Sequence, residues 1–121
     1  MAFFFNSLKK LRLSQKLKRI GASAFASNQL EKVEIPNEVK SIDEFAFRNN
    51  RIKTLIIPGS VKDINQGAFA NNAITSVTLR DGVTNIGQSA FIDNNITSVV
   101  SPLTIKMVDA KAFQENVIIE N

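Results

Sequence analysis

Few side chains in this 121-residue chain could do covalent chemistry, because it has no His, Cys, Trp or Tyr. Their absence excludes zinc, iron–sulfur and thiol sites of the usual kind and removes the commonest general base. What remains are carboxylates and hydroxyls. Asp43 and Glu44 are adjacent, whereas Asp63, Asp81 and Asp109 stand alone, so no carboxylate pair recurs. No Ser or Thr has a base at a recognisable spacing, and general acid–base or nucleophilic catalysis needs both partners. Gly59, Gly67, Gly82 and Gly87 are dispersed and form no phosphate-cradling loop. The expectation is a protein without enzyme activity, metal or cofactor.

Charge is the second chemical resource. Lys9, Lys10, Arg12, Lys16, Lys18 and Arg19 give the first 20 residues a charge of +6, and the remainder carries −2. Such a run could meet a glycan, nucleic acid or membrane phosphate, and it is the candidate anion-binding set. Nucleic acid is the weaker of these, since no Tyr or Trp is interleaved for base stacking. The competing reading is a solvated, solubilising end. No apolar run reaches the length of a membrane span. The opening MAFFFNSLKKLRL puts its short apolar run before its basic residues, a poor match to a signal peptide, so the chain as it stands reads as cytoplasmic.

The elements that position these residues follow from one period. Phe3, Phe25, Phe47, Phe69, Phe91 and Phe113 are each 22 residues apart. An Ala precedes every one of them, and Asn6, Asn28, Asn50, Asn72, Asn94 and Asn116 follow three residues later. Further apolar columns contain Leu30, Val33, Ile35, Val39 and Ile42 in the second unit and their equivalents elsewhere, with Ser101 the polar exception. The unit AFxxNxLxxVxIPxxVxxIxxx divides the chain without insertion into 2–23, 24–45, 46–67, 68–89, 90–111 and a partial 112–121. A strict period of this length is the mark of a solenoid: an α/β repeat array forming a single domain over residues 1–121.

Within each unit, LxxVxIP has the alternation and β-branching of a short strand, so Val33–Ile35 is expected to be one. The following Pro36, Pro58 and Pro102 turn the chain where a missing N–H costs little. VxxI suits a second extended stretch. The segment around each Phe reads as one or two helical turns ending in an αL Asn. Stacked units should join the Phe side chains into a spine, and the Asn amides should form a ladder that satisfies backbone groups of neighbouring coils. Residues 1–20 fit every column as a degenerate first unit, although an amphipathic capping helix also accommodates Leu13, Leu17 and Ile20.

Written this way, the unit resembles the BspA-type leucine-rich repeats of bacterial surface proteins, from Ala2 to Asn116. The resemblance implies a right-handed leucine-rich-repeat coil with parallel strands. It also implies a parent protein at the cell surface or secreted, active in adhesion and protein binding.

On a strand with Val33 and Ile35 inward, Lys32 and Glu34 face solvent. By register the outer ladder is Lys10, Arg12, Lys32, Glu34, Thr54, Ile56, Ser76, Thr78, Ser98 and Val100. This is the candidate partner-binding surface, with a protein as the expected partner. Neither end of the array has an evident polar cap, so end-to-end pairing of copies, or membership of a longer array, is also expected.

Overall fold

A computed structural model describes residue 9, residues 11–113 and the strand 118–120 of the chain. Its strands fall into two parallel sheets, labelled here in chain order. The first joins β1 (Arg19–Ile20), β2 (Ser41–Ile42), β4 (Asp63–Ile64), β6 (Asn85–Ile86) and β8 (Met107–Val108). The second joins β3 (Thr54–Ile57), β5 (Ser76–Leu79), β7 (Ser98–Val100) and β9 (Ile118–Glu120). Every pairing but the last advances by one 22-residue repeat: Ile42 lies beside Ile64 and Ile64 beside Ile86, while Leu55 lies beside Val77 and Val77 beside Val99. The last, β7 with β9, advances by 20 residues and sets Val99 beside Ile119. The VxxI stretch is therefore extended, and the chain is a parallel β-solenoid.

The segment around each Phe corrects the expectation of helical turns: no helix occurs among the described residues. Residues two before and two after the Phe have left-handed backbones: Ser23 and Ser27, Phe45 and Asn49, Gly67 and Asn71, Ser89 and Asp93. An L-residue in αL breaks a right-handed helix wherever it falls. Alternate amides do close single turns, as Ala46 N–H donates to Asp43 O at 3.2 Å and Arg48 N–H to Phe45 O at 3.2 Å. The others point along the stack: Phe45 N–H donates to Gln66 O at 2.9 Å, Phe47 N–H to Ala68 O at 2.8 Å and Asn49 N–H to Ala70 O at 3.1 Å. The same segments of the units before and after repeat this direction, each donating to the next unit.

Inside the coils, Phe25, Phe47, Phe69, Phe91 and Phe113 stack with centroids 5.5, 5.2, 5.4 and 5.1 Å apart. Phe47, Phe69 and Phe91 are fully buried, as are the preceding Ala46, Ala68 and Ala90. Beside the rings runs the expected Asn ladder. Asn72 accepts from Ile52 N–H at 3.1 Å through Oδ1, and its Nδ2 donates at 3.0 Å to Phe47 O and to Phe69 O. Asn50 and Asn94 do the same one unit away in each direction. Each amide thus serves three backbone groups, and Phe47 O and Phe69 O each accept from two successive amides.

Two further expectations resolve at the N-terminal side. Residues 11–20 follow the repeat, with a turn at Gln15–Lys16, β1 at its end, and Leu11, Leu13 and Leu17 packed against the core. Residues 1–8 and Lys10, which include Phe3 and Asn6, lie outside the described residues. The strand expected at Val33–Ile35 is not formed: only Lys32 makes an isolated bridge, and β3 is the edge of its sheet. Val33 and Ile35 still face inward and are buried. The turns that follow differ along the array. Gly59 sits so close to the next coil that a Cβ on it would lie 1.8 Å from Asp81 O. The second unit has Asn37 at that position, but Asp81 and Leu103 stand there in the fourth and fifth units, whose strands do pair, so the turn residue does not by itself account for the opening.

Candidate binding face

The outer side of the β3–β5–β7 sheet carries the candidate ladder. Strand pairing aligns Thr54 with Ser76 and Ser98 in one row, and Ile56 with Thr78 and Val100 in a second. The burial alternates along each strand, so Leu55 and Ile57 face the core while Thr54 and Ile56 face out. Ile56 is 53% exposed and Val100 46%, at the two ends of the same row. Between them Thr78 is half-buried. Of the remaining ladder residues, Arg12, Lys32 and Glu34 are exposed on the unpaired side of β3, and Lys10 lies outside the described residues.

Two depressions lie on this face. A cavity of about 550 Å³ occupies the separation between Lys32–Ile35 and Thr54–Ile56, with Asn37, Pro58, Gly59 and Arg80 at its turn end. A smaller one of about 300 Å³ lies between Leu11–Leu13 and Lys32 and Glu34. The structure thus brings Lys32, Glu34, Thr54 and Ile56 round one opening, with Arg12 round the next.

The basic set is dispersed round its coil. Lys9, Arg12, Lys16, Lys18 and Arg19 are all exposed, but Arg19 Nε is engaged by the Asp43 carboxylate. Asp43 is buried, its backbone N–H donating to Ile20 O at 2.9 Å. It therefore works as a structural link between the first and second coils. Sequence reading missed this pair, whose only signal was an Asp in a column that also holds Gly21, Asn65, Gly87 and Asp109. The other carboxylates do not converge: no group of three or more His, Cys, Asp or Glu suited to a metal occurs among the described residues. Nor, among the described residues, is any helix long and apolar enough to cross a membrane.

Comparison with known proteins gives one decisive result. Residues 1–120 match the family model of the BspA type leucine rich repeat region in six copies. The chain belongs to that family. No curated protein and no solved structure matches it. The BspA-type repeat accounts for the 22-residue advance of the first sheet and of β3, β5 and β7, and repeat solenoids of this kind are typically non-catalytic.

Proposed function

We propose that this BspA-type array is a non-catalytic protein-binding module, belonging to a bacterial surface or secreted protein of adhesion type, that engages its partner through the outer face of the β3–β5–β7 sheet. The observation that carries the reading is the pair of registered rows on that face, with Ile56 and Val100 left exposed in one of them. Solenoids bind through such extended repeated surfaces, and exposed apolar side chains beside hydroxyls suit a protein surface. The test is retention of host plasma and extracellular-matrix proteins on the immobilised array. The expected result is a specific partner whose affinity falls about tenfold or more in a Ser76→Arg, Val100→Arg double variant that still folds. Retention of nothing, or equal retention by the variant, overturns it.

A second reading, end-to-end assembly of copies, is favoured by a separate patch. Leu103, Met107 and Val108 are 87%, 67% and 38% exposed at the last described coil. If this patch joins copies, sedimentation should show concentration-dependent association that Met107→Lys abolishes.

A further inference from the structure

The separation between the second and third coils is bounded on both sides. Before it, Arg51 N–H donates to Leu30 O at 2.8 Å, and Leu30 N–H donates to Asn50 Oδ1 at 3.0 Å. After it, Lys62 N–H donates to Lys40 O at 2.9 Å and β2 pairs with β4. The two coils are thus held together at either end of a slot in which β3 has no strand on its outer side. The Phe spine registers the same opening: Phe25 and Phe47 meet at 15°, whereas the three stacks beyond them lie at 6°, 6° and 3°.

We propose that this slot takes an extended acidic peptide, which adds to the free edge of β3 as an additional strand. An unpaired strand edge is a template for an incoming strand, and peptide recognition by strand addition draws its affinity from main-chain hydrogen bonds. The slot matches that mode in extent, volume and lining. It runs along Thr54, Leu55 and Ile56 of β3, and its volume of about 550 Å³ is within the ordinary range of ligand pockets. Alternate side chains of an inserted strand would point inward, against the apolar layer of Val33, Ile35 and Leu55. The others would point outward beside Lys32 and Arg80, whose two positive charges exceed the single negative charge of Glu34. The occupant is therefore a peptide alternating β-branched apolar residues with carboxylates. This inference rests on the protein-binding reading and adds the mode of docking.

The test is titration of the isotopically labelled chain with acetyl-Thr-Val-Glu-Val-Glu-Val-Thr-amide, read by NMR. The expected result is shifted amides in Thr54–Ile57 and Lys32–Ile35, with amide exchange there slowed about tenfold or more. Methylating the peptide nitrogens should weaken binding about tenfold, since it removes the strand hydrogen bonds. Replacing Glu by Lys in the peptide, or Lys32→Ser in the protein, should weaken it as well. No perturbation at millimolar peptide, perturbation confined to other coils, or equal binding of the methylated peptide overturns the proposal. So does concentration-dependent protection of β3 without peptide, which would make a second copy the occupant. These outcomes are separate from the fate of the Ser76→Arg, Val100→Arg variant, which judges the outer face alone.

Discussion

Single residues in this array act on two neighbours at once, because every column is shared by three coils. Asn72 is the clearest case: its amide serves Ile52 N–H, Phe47 O and Phe69 O. Asn72→Ala leaves Ile52 N–H without that partner, whereas Phe47 O and Phe69 O keep the amides of Asn50 and Asn94. One unsatisfied buried group costs about 1–3 kcal/mol, and water entering the space would recover part of that, so a loss of about 1–2 kcal/mol is expected in urea unfolding. Phe69→Ala removes stacking on both Phe47 and Phe91 and should cost about 3–5 kcal/mol in the same measurement. Both columns were legible from sequence, since a Phe or Asn recurring at a fixed period has only one way to be equivalent in every coil. The left-handed residues were not. Ser23, Ser27 and Phe45 carry no glycine-like signal, and they adopt αL because the coil-to-coil hydrogen bonds require it. Phe45 is accommodated because its ring lies over Gly67, where a Cβ would come within 2.4 Å, and Arg48 covers it with its guanidinium 5.5 Å from the ring centroid.

At the scale of the element, what separates β3 from Lys32–Ile35 is pairing rather than pattern. Both segments alternate inward and outward residues, both precede a Pro turn, and both keep their inward apolar side chains buried. A strand is defined by its neighbour, and β3 has one only on the β5 side. Gly59 lets the third coil seat on Asp81 and Gly82 of the fourth, which no side chain would permit without movement. Gly59→Asn should therefore force these coils apart and cost about 1–3 kcal/mol as overpacking. Faster amide exchange in β3 and β5, with β4 and β6 unchanged, would localise the effect. If exchange rises evenly through the array, the turn column does not govern pairing. The slot was invisible in the sequence, since the segments on either side of it carry the same inward columns as those that pair.

For the whole molecule, stability should fall toward the C-terminal coil. Ile42, Ile64 and Ile86 are buried in successive strands of the first sheet, whereas Val108, in the same column, is 38% exposed and Met107 beside it 67%. Repeat arrays unfold largely unit by unit, with local opening set by each unit's own packing and its interfaces. Amides of β8 should exchange about tenfold faster than those of β4, and equal rates would show a single cooperative unit instead. The period made the architecture readable because it fixed every contact between neighbouring coils. Function was less legible, since the outward positions differ from unit to unit and follow no rule of stacking.

The backbone hydrogen bonds at the Phe segments run one way, each unit's amides giving to the carbonyls of the next, as Phe47 N–H does to Ala68 O. Those beside the strands of the first sheet run the other way, as Asp43 N–H does to Ile20 O and Asn65 N–H to Ile42 O. The two sets of peptide dipoles oppose each other rather than adding as they do in a helix. Each end of the stack still carries its own pattern: in the Phe column oxygen faces the N-terminal side and N–H the C-terminal side, and beside the strands the order is reversed. Any two arrays that meet end on can continue both patterns only head to tail, so that growth has a direction and mirror-like pairing of identical ends is disfavoured.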